Sequence, residues 1–311
     1  MVISPGRLVR LLISGLLMAG LLWHVDFSAM WMQMHHAAVM PFLLALGLSV
    51  AQVFAVSARW RMMLASVRLR LPFHIVVETI VAGIIANTLL INVLGGLAAR
   101  VLLLVSQNVP VRGVLSTLVL ERAMVLAVLV ALTVLGLPWL GITLAVDDFP
   151  ATSLAAVATG LACLSILVAA RSRLAASFRR RAGDFIRAMA ADLRDIVADR
   201  PVLMSSIMLT VLSQVLLIAV GLVIAVALDI DIAMVHLLAI LPLVALVSSL
   251  PISVGGWGVR ELSLVYALAQ FGVSLEQAML LSVLIGVSTL AAALLTGVGC
   301  VTSRKLRLAY A

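Results

Sequence analysis

Charge is scarce in this chain. Asp, Glu, Lys and Arg make up 11% of its 311 residues, against 64% hydrophobic residues, where a soluble domain carries about 25% charged residues. So little polar surface cannot coat a water-soluble globule of this length. Alternating apolar–polar strand patterns are missing too, which argues against a β-barrel. Lysine is reduced to Lys305, beside 20 arginines. Cysteine is limited to Cys163 and Cys300, both inside apolar runs; they read as packing residues and leave the redox compartment open. The signatures of catalysis are also absent: no G-x-S-x-G, no H-E-x-x-H, no paired intramembrane Asp, no Ser with an obvious His partner, no nucleotide-binding loop. His24, His35, His36, His74 and His236 show no metal-ligand spacing. These absences predict a chain that is not an enzyme and uses no metal or other cofactor.

What the chain does have is apolar runs long enough to cross a bilayer, which takes roughly 20 residues of helix. Clear spans are predicted at 8–25, 37–58, 113–137, 149–170, 202–228 and 277–303. The first, behind Arg7 and Arg10, resembles an uncleaved signal anchor. Two further apolar stretches are interrupted: 74–108 by Gly95-Gly96, and 234–271 by Pro251 and Gly255-Gly256-Trp257-Gly258.

The formal charge of +8 would suggest nucleic acid in a soluble protein. Here the basic residues flank the spans, so they report topology and anionic lipid instead, and no nucleic-acid partner is expected. If the basic clusters are all cytoplasmic, 18 of the 21 basic residues lie inside and none outside. The outer loops then hold acids alone: Asp26, Asp147, Asp148, Asp229, Asp231 and Glu276. Both termini are cytoplasmic in this arrangement. Residue 72 and Arg112 are both inside, so 74–108 must enter and return from the cytoplasmic side. Asp231 and Glu276 are both outside, so 234–271 must do the same from the other side.

The two hairpins also match in sequence. Gly95, Gly96 and Arg100 align with Gly255, Gly256 and Arg260 at a constant offset of 160 residues. The expected fold is an all-α polytopic membrane protein with about six full spans and two oppositely oriented re-entrant helical hairpins, an inverted repeat of the kind common in secondary transporters. A single membrane domain, 1–311, divides into two N-terminal spans (1–72), a first repeat (73–170), a cytoplasmic amphipathic surface helix (171–200) and a second repeat (201–311). In the surface helix Leu174, Phe178, Phe185, Met189, Leu193 and Ile196 fall near helical spacing beside several arginines. That pattern suits the inner leaflet, or a plain cytoplasmic connector.

Five charged residues are expected at membrane depth: Arg100, Glu121, Arg122, Arg260 and Glu261. Each costs roughly 2.5–3.5 kcal/mol at a helix centre, so each needs a partner, a wet cavity or a ligand. Sequence neighbours on a helix do not face each other. Pairs between the repeats, Glu121 with Arg260 or Glu261 with Arg100, are therefore expected instead. Three arginines against two glutamates leave one positive charge, which suits one anionic group such as a lipid phosphate, held by the planar fork of Arg. The Gly pairs allow close approach of backbone to a ligand and free N–H groups at helix starts. Asn87 and Asn92 flank the first break and either line the same cavity or bond between helices. The alternative for the charges is a purely structural pair network at the hairpin tips.

These residues resemble a known family. Pro251-Ile-Ser253-Val-Gly255-Gly256-Trp-Gly258-Val-Arg260-Glu261 is similar to the P-x-S-x-G-G-x-G-x-R-E signature of the lysylphosphatidylglycerol synthase transmembrane region, and Gly272-Val-Ser-Leu-Glu-Gln-Ala278 to the G-x-S-x-E-x-A that follows it. Asn87 through Arg100 resembles N…G-G-x-x-x-R, and Leu120-Glu121-Arg122 the family's L-E-R. The resemblance spans nearly the whole chain. It implies a bacterial inner-membrane, flippase-like transporter that moves a lipid with an anionic or phosphate headgroup between leaflets. Pro251, Ser253 and Gly258 join the candidate site through this motif. As a stand-alone member without a soluble aminoacyl-transferase domain, the chain would not synthesise lysyl lipid itself. The chain departs from many relatives by Val93-Leu94 and Leu97-Ala98 around the first Gly pair, and by Leu284-Ile285-Gly286 where an Arg is common; each change thins the polar lining. Two other roles stay open: a non-catalytic subunit of a lipid-synthesis complex and an intramembrane lipid-modifying transferase. So does a homo-oligomeric state.

Overall fold

The computed structural model describes residues 39–89, 92–141, 176–249 and 258–309. Among them every regular element is helical: α1 (Val39–Ser66), α2 (Phe73–Leu89), α3 (Asn92–Val105), α4 (Val111–Gly136), α5 (Ala176–Ala198), α6 (Arg200–Ala227), α7 (Met234–Ser248), α8 (Val259–Ala269) and α9 (Leu275–Ala309). The expected spans 8–25 and 149–170 lie outside the described residues.

Among the described residues four helical stretches are long and apolar enough to cross a membrane: Val39–Ser66, Val111–Leu140, Arg200–Ala227 and Leu275–Cys300. They coincide with the other four expected spans. The second comprises α4 and the 3-10 turn Leu137–Leu140, with Pro138 near its start and Gly141 closing it at φ 72°. Local chemistry also sets the start of α6. The Asp199 carboxylate accepts from Val202 N, and Pro201, which has no N–H to satisfy, sits in the first turn.

The remaining apolar helices are short. α2, α3, α7 and α8 have 17, 14, 15 and 11 residues. At about 1.5 Å per residue they reach roughly 16–25 Å, less than the roughly 30 Å of a hydrocarbon core. α2 packs on α3 and α7 on α8, so two helical hairpins occupy the two interrupted stretches. One expectation needs correcting. Gly95-Gly96 does not break the first stretch; α3 runs straight through the pair. A Cβ on Gly96 would stand 2.7 Å from the Gly83 carbonyl oxygen of α2. Gly96 is small so that two backbones can meet, the usual reason for small residues between membrane helices.

The apolar core has two centres. One gathers Trp60, Leu64, Ile80, Leu104 and Leu118 around the first hairpin. The other gathers Ile224, Leu241, Leu264 and Leu280 around the second. The long helices bridge them. α1 and α6 pack along each other, and small polar residues on those helices (Ser49 and Ser57; Ser206, Thr210 and Ser213) are buried. The hairpins are also interlocked: α4, which follows the first, packs on α7 of the second, and α9, which follows the second, packs on α2 of the first.

The amphipathic segment forms α5. Ile196 is fully buried, while Phe185, Ile186 and Val197 face outward. Asp192 anchors the helix to the start of α4: its carboxylate accepts from Arg112 Nε at 3.0 Å, Arg112 Nη2 at 3.2 Å and Ser116 Oγ at 3.1 Å. Arg112 is half exposed, so the pair contributes at most about 1 kcal/mol. Its expected role is placement. Asp192→Asn should leave the bundle folded while speeding tryptic cleavage after Arg187 and Arg194 severalfold. Unchanged cleavage would show that apolar contacts alone hold α5.

Candidate functional site

Glu121 lies on the face of α4 turned toward α1 and α3. It is 5% exposed, and both of its oxygens carry a guanidinium. Arg59 Nη2 from α1 donates to Oε1 at 2.8 Å, and Arg100 Nη1 from α3 donates to Oε2 at 3.0 Å. Arg59 Nη1 also donates to Thr210 Oγ1 of α6 at 3.0 Å. Three helices thus meet at one carboxylate, and Arg59 ties in a fourth, α6. Trp60 adds its indole face 5.4 Å from the Arg100 guanidinium, and its Nε1 donates to Thr117 Oγ1 at 3.1 Å. The slot for Arg100 exists because Gly83 has no side chain; a Cβ there would lie 2.6 Å from Arg100 Nε.

The second charged group sits at the start of α8. Gly258, at φ 87°, occupies a backbone region that favours glycine. Its N–H donates to Glu261 Oε2 at 2.7 Å. Glu261 Oε1 accepts from Arg260 Nη2 at 2.6 Å and Nε at 3.1 Å, and from Ser282 Oγ of α9 at 3.2 Å. Glu261 is fully buried, whereas the Arg260 side chain is 23% exposed. Gly286 makes room for Arg260 as Gly83 does for Arg100: a Cβ there would stand 2.8 Å from Arg260 Nη2.

Two pairing expectations are overturned by this geometry. Arg260 and Glu261, sequence neighbours, do pair. In the first turn of a helix a Glu side chain folds back to the cap N–H, and the long Arg stem reaches it there. The pairs expected between repeats do not form. Glu121 takes Arg59 and Arg100, and Glu261 takes Arg260. Arg59 is the partner that sequence reasoning missed, because it is counted among the 18 basic residues assigned to the cytoplasm. The signal was its register: Ala55, Arg59 and Met63 are all buried at spacing four on α1. Glu78 was passed over as well; it lies on α2 with Oε1 buried and without a hydrogen-bond partner among the described residues.

Two cavities open between these groups. The larger, about 320 Å3, lies among α2, α4, α6, α7, α8 and α9 and is lined by Asn87, Arg122, Gln214, Ser248, Arg260 and Ser282 among others. The smaller, about 180 Å3, is lined by Gln52, Arg59, Arg100, Glu121, Arg122 and Gln214 among others. Arg122, Val125, Gln214 and Thr289 border both. The structure therefore brings Arg100, Glu121, Arg122, Arg260 and Asn87 to one connected region, with Glu261 and Gly258 behind Arg260. Asn87 Oδ1 is buried there without a partner among the described residues. Gly96 stands in the α2–α3 contact, and Gly95 precedes it on α3. Asn92 opens α3, its side chain outside the described part. Pro251, Ser253, Gly255 and Gly256 lie outside the described residues.

The region is an arginine-lined, net-positive chamber inside a bundle whose outer faces are apolar. It is suited to holding an anion at depth. Among the described residues no cluster of His, Cys, Asp and Glu has metal-binding geometry. Residues 7–297 match the family model described as "Lysylphosphatidylglycerol synthase TM region". No curated protein matches the chain significantly.

Proposed function

Because the chain belongs to the lysylphosphatidylglycerol synthase TM region family, we propose that it translocates a lipid with an anionic or phosphate-bearing headgroup between the leaflets of a bacterial inner membrane. The observation that carries this reading is the adjoining, arginine-lined pair of cavities between helices apolar enough to lie in lipid. Ionisable groups at membrane depth mark substrate paths, and a headgroup needs such a path where its chains do not.

The short hairpins, each too short for a full crossing, support re-entrant segments that enter from opposite faces. The reciprocal packing of α4 on α7 and α9 on α2 supports an inverted repeat, with the headgroup site where the halves meet. Access would alternate as one half rocks against the other. The basic residues that flank the spans support cytoplasmic termini. On this reading the chain is a transporter and not an enzyme: its intramembrane carboxylates neutralise arginines.

The test is reconstitution. Vesicles carrying the purified chain and a headgroup-labelled fluorescent phosphatidylglycerol are treated with an impermeant quencher. The expected result is a protected fraction well below that of empty vesicles, with a neutral labelled diacylglycerol unaffected by the protein. Equal protection of phosphatidylglycerol with and without protein would overturn translocation.

A further inference from the structure

The acids of the site are already taken. Glu121 neutralises one of Arg59 and Arg100, and Glu261 binds Arg260. Arg122 differs. Among the described residues it makes no hydrogen bond or ion pair, yet it borders both polar cavities. Its neighbour Glu121 lines the smaller cavity beside it but spends both carboxylate oxygens on Arg59 and Arg100. A guanidinium at this depth with all five donors unspent is costly unless something binds it.

A third cavity completes the picture. About 340 Å3 in volume, it is lined by apolar side chains of α4, the 3-10 turn after it, α6 and α7, including Leu135, Trp139, Ala219 and Leu222. It shares Ile218 and Pro242 with the 320 Å3 polar cavity. Trp139 on its lining is 55% exposed. A free anion has no use for such a groove, whereas an acyl chain fits its chemistry.

We infer that Arg122 is the phosphate ligand of a two-part lipid site, with the headgroup in the polar cavity and an acyl chain in the Trp139 groove. This rests on the lipid reading above and sharpens it. Arg100 and Arg260 shape the chamber, and Arg122 holds the substrate. The ligand class is a glycerophospholipid or another lipid phosphate.

The experiment is native mass spectrometry of the purified full chain with dioleoyl phosphatidylglycerol, dioleoylglycerol, dihexanoyl phosphatidylglycerol and inorganic phosphate. Wild type should retain the long-chain phospholipid over dioleoylglycerol. Arg122→Gln should lower that retention by roughly tenfold or more, the scale of losing charge-assisted hydrogen bonds. Arg187→Gln, an exposed arginine on α5, should not. Ala219→Phe, which fills the groove, should weaken the dioleoyl lipid while leaving the dihexanoyl lipid bound. Wild-type retention by Arg122→Gln would overturn the phosphate assignment. Phosphate binding as tight as lipid binding, or no effect of Ala219→Phe, would overturn the lipid assignment. In vesicles, Arg122→Gln that still translocates lipid sinks this site alone. Selective binding without translocation by wild type sinks the transport reading alone.

Discussion

Glu121→Ala is expected to lower the unfolding free energy of the bundle by about 3–5 kcal/mol, the range for stripping one partner from a buried ion pair. The substitution leaves two buried guanidiniums facing each other with no counter-charge. Arg59 is 1% exposed and Arg100 7% exposed, so water cannot take the carboxylate's place. Arg59 Nε and Arg100 Nε already lack partners, so the lost carboxylate adds to donors that are already buried and unsatisfied. Removing Arg100 as well should recover part of the loss, because Arg59, Arg100 and Glu121 form one unit and their effects do not add. The check is reversible unfolding in mixed micelles for Glu121→Ala, Arg100→Met and the double variant. Full additivity, or a Glu121→Ala protein as stable as wild type, would show that the three residues do not act as one network.

Much of the fold is legible from the sequence, and the reason is the solvent. In lipid an uncharged run of 20 or so residues has few alternatives to a spanning helix, so four spans stand at their expected positions. The interrupted stretches are legible for the same reason: too long for one crossing and broken once, they fold as paired short helices. The exact break is less legible. A Gly pair reads as a helix stop by propensity, at roughly 1 kcal/mol per Gly relative to Ala, but interhelical contact at Gly96 outweighs that cost.

Charge placement is harder to read. The five intramembrane charges were found because the sequence around them is apolar, and the structure gathers Arg100, Glu121, Arg122 and Arg260 around the cavities. Their partners depend on which helix faces which, and no local pattern encodes that. Arg59 stands at the end of an apolar run, where basic residues usually mark the cytoplasm. Only the continuation of α1 to Ser66 carries it into the bundle. The Arg260–Glu261 pair breaks the rule against neighbour contacts because both residues sit in the first turn of α8, where side chains fold toward the cap.

Gly96→Ala should destabilise the protein, against the usual sign for a helix. An ordinary Gly→Ala change inside a helix gains about 0.5–1 kcal/mol from reduced backbone entropy. At Gly47 of α1 a Cβ meets nothing within 4 Å, so Gly47→Ala should show that gain. At Gly96 the new Cβ would lie 2.7 Å from the Gly83 carbonyl oxygen and 3.2 Å from the Asn87 Cβ. A carbonyl in a helix cannot swing aside as a side-chain tip can, so α3 must move off α2, at the roughly 1–3 kcal/mol of an overpacked core. The movement has a functional consequence. Arg100 lies four residues further along α3, wedged against Gly83 and bonded to Glu121. Displacing α3 loosens that bond and the wall of the smaller cavity together. Gly96→Ala is therefore expected to lose stability and lipid translocation in parallel, while Gly47→Ala keeps both. If Gly96→Ala matches Gly47→Ala in unfolding, the hairpin is looser than its contacts imply. If stability falls with translocation intact, the smaller cavity is not on the lipid's path.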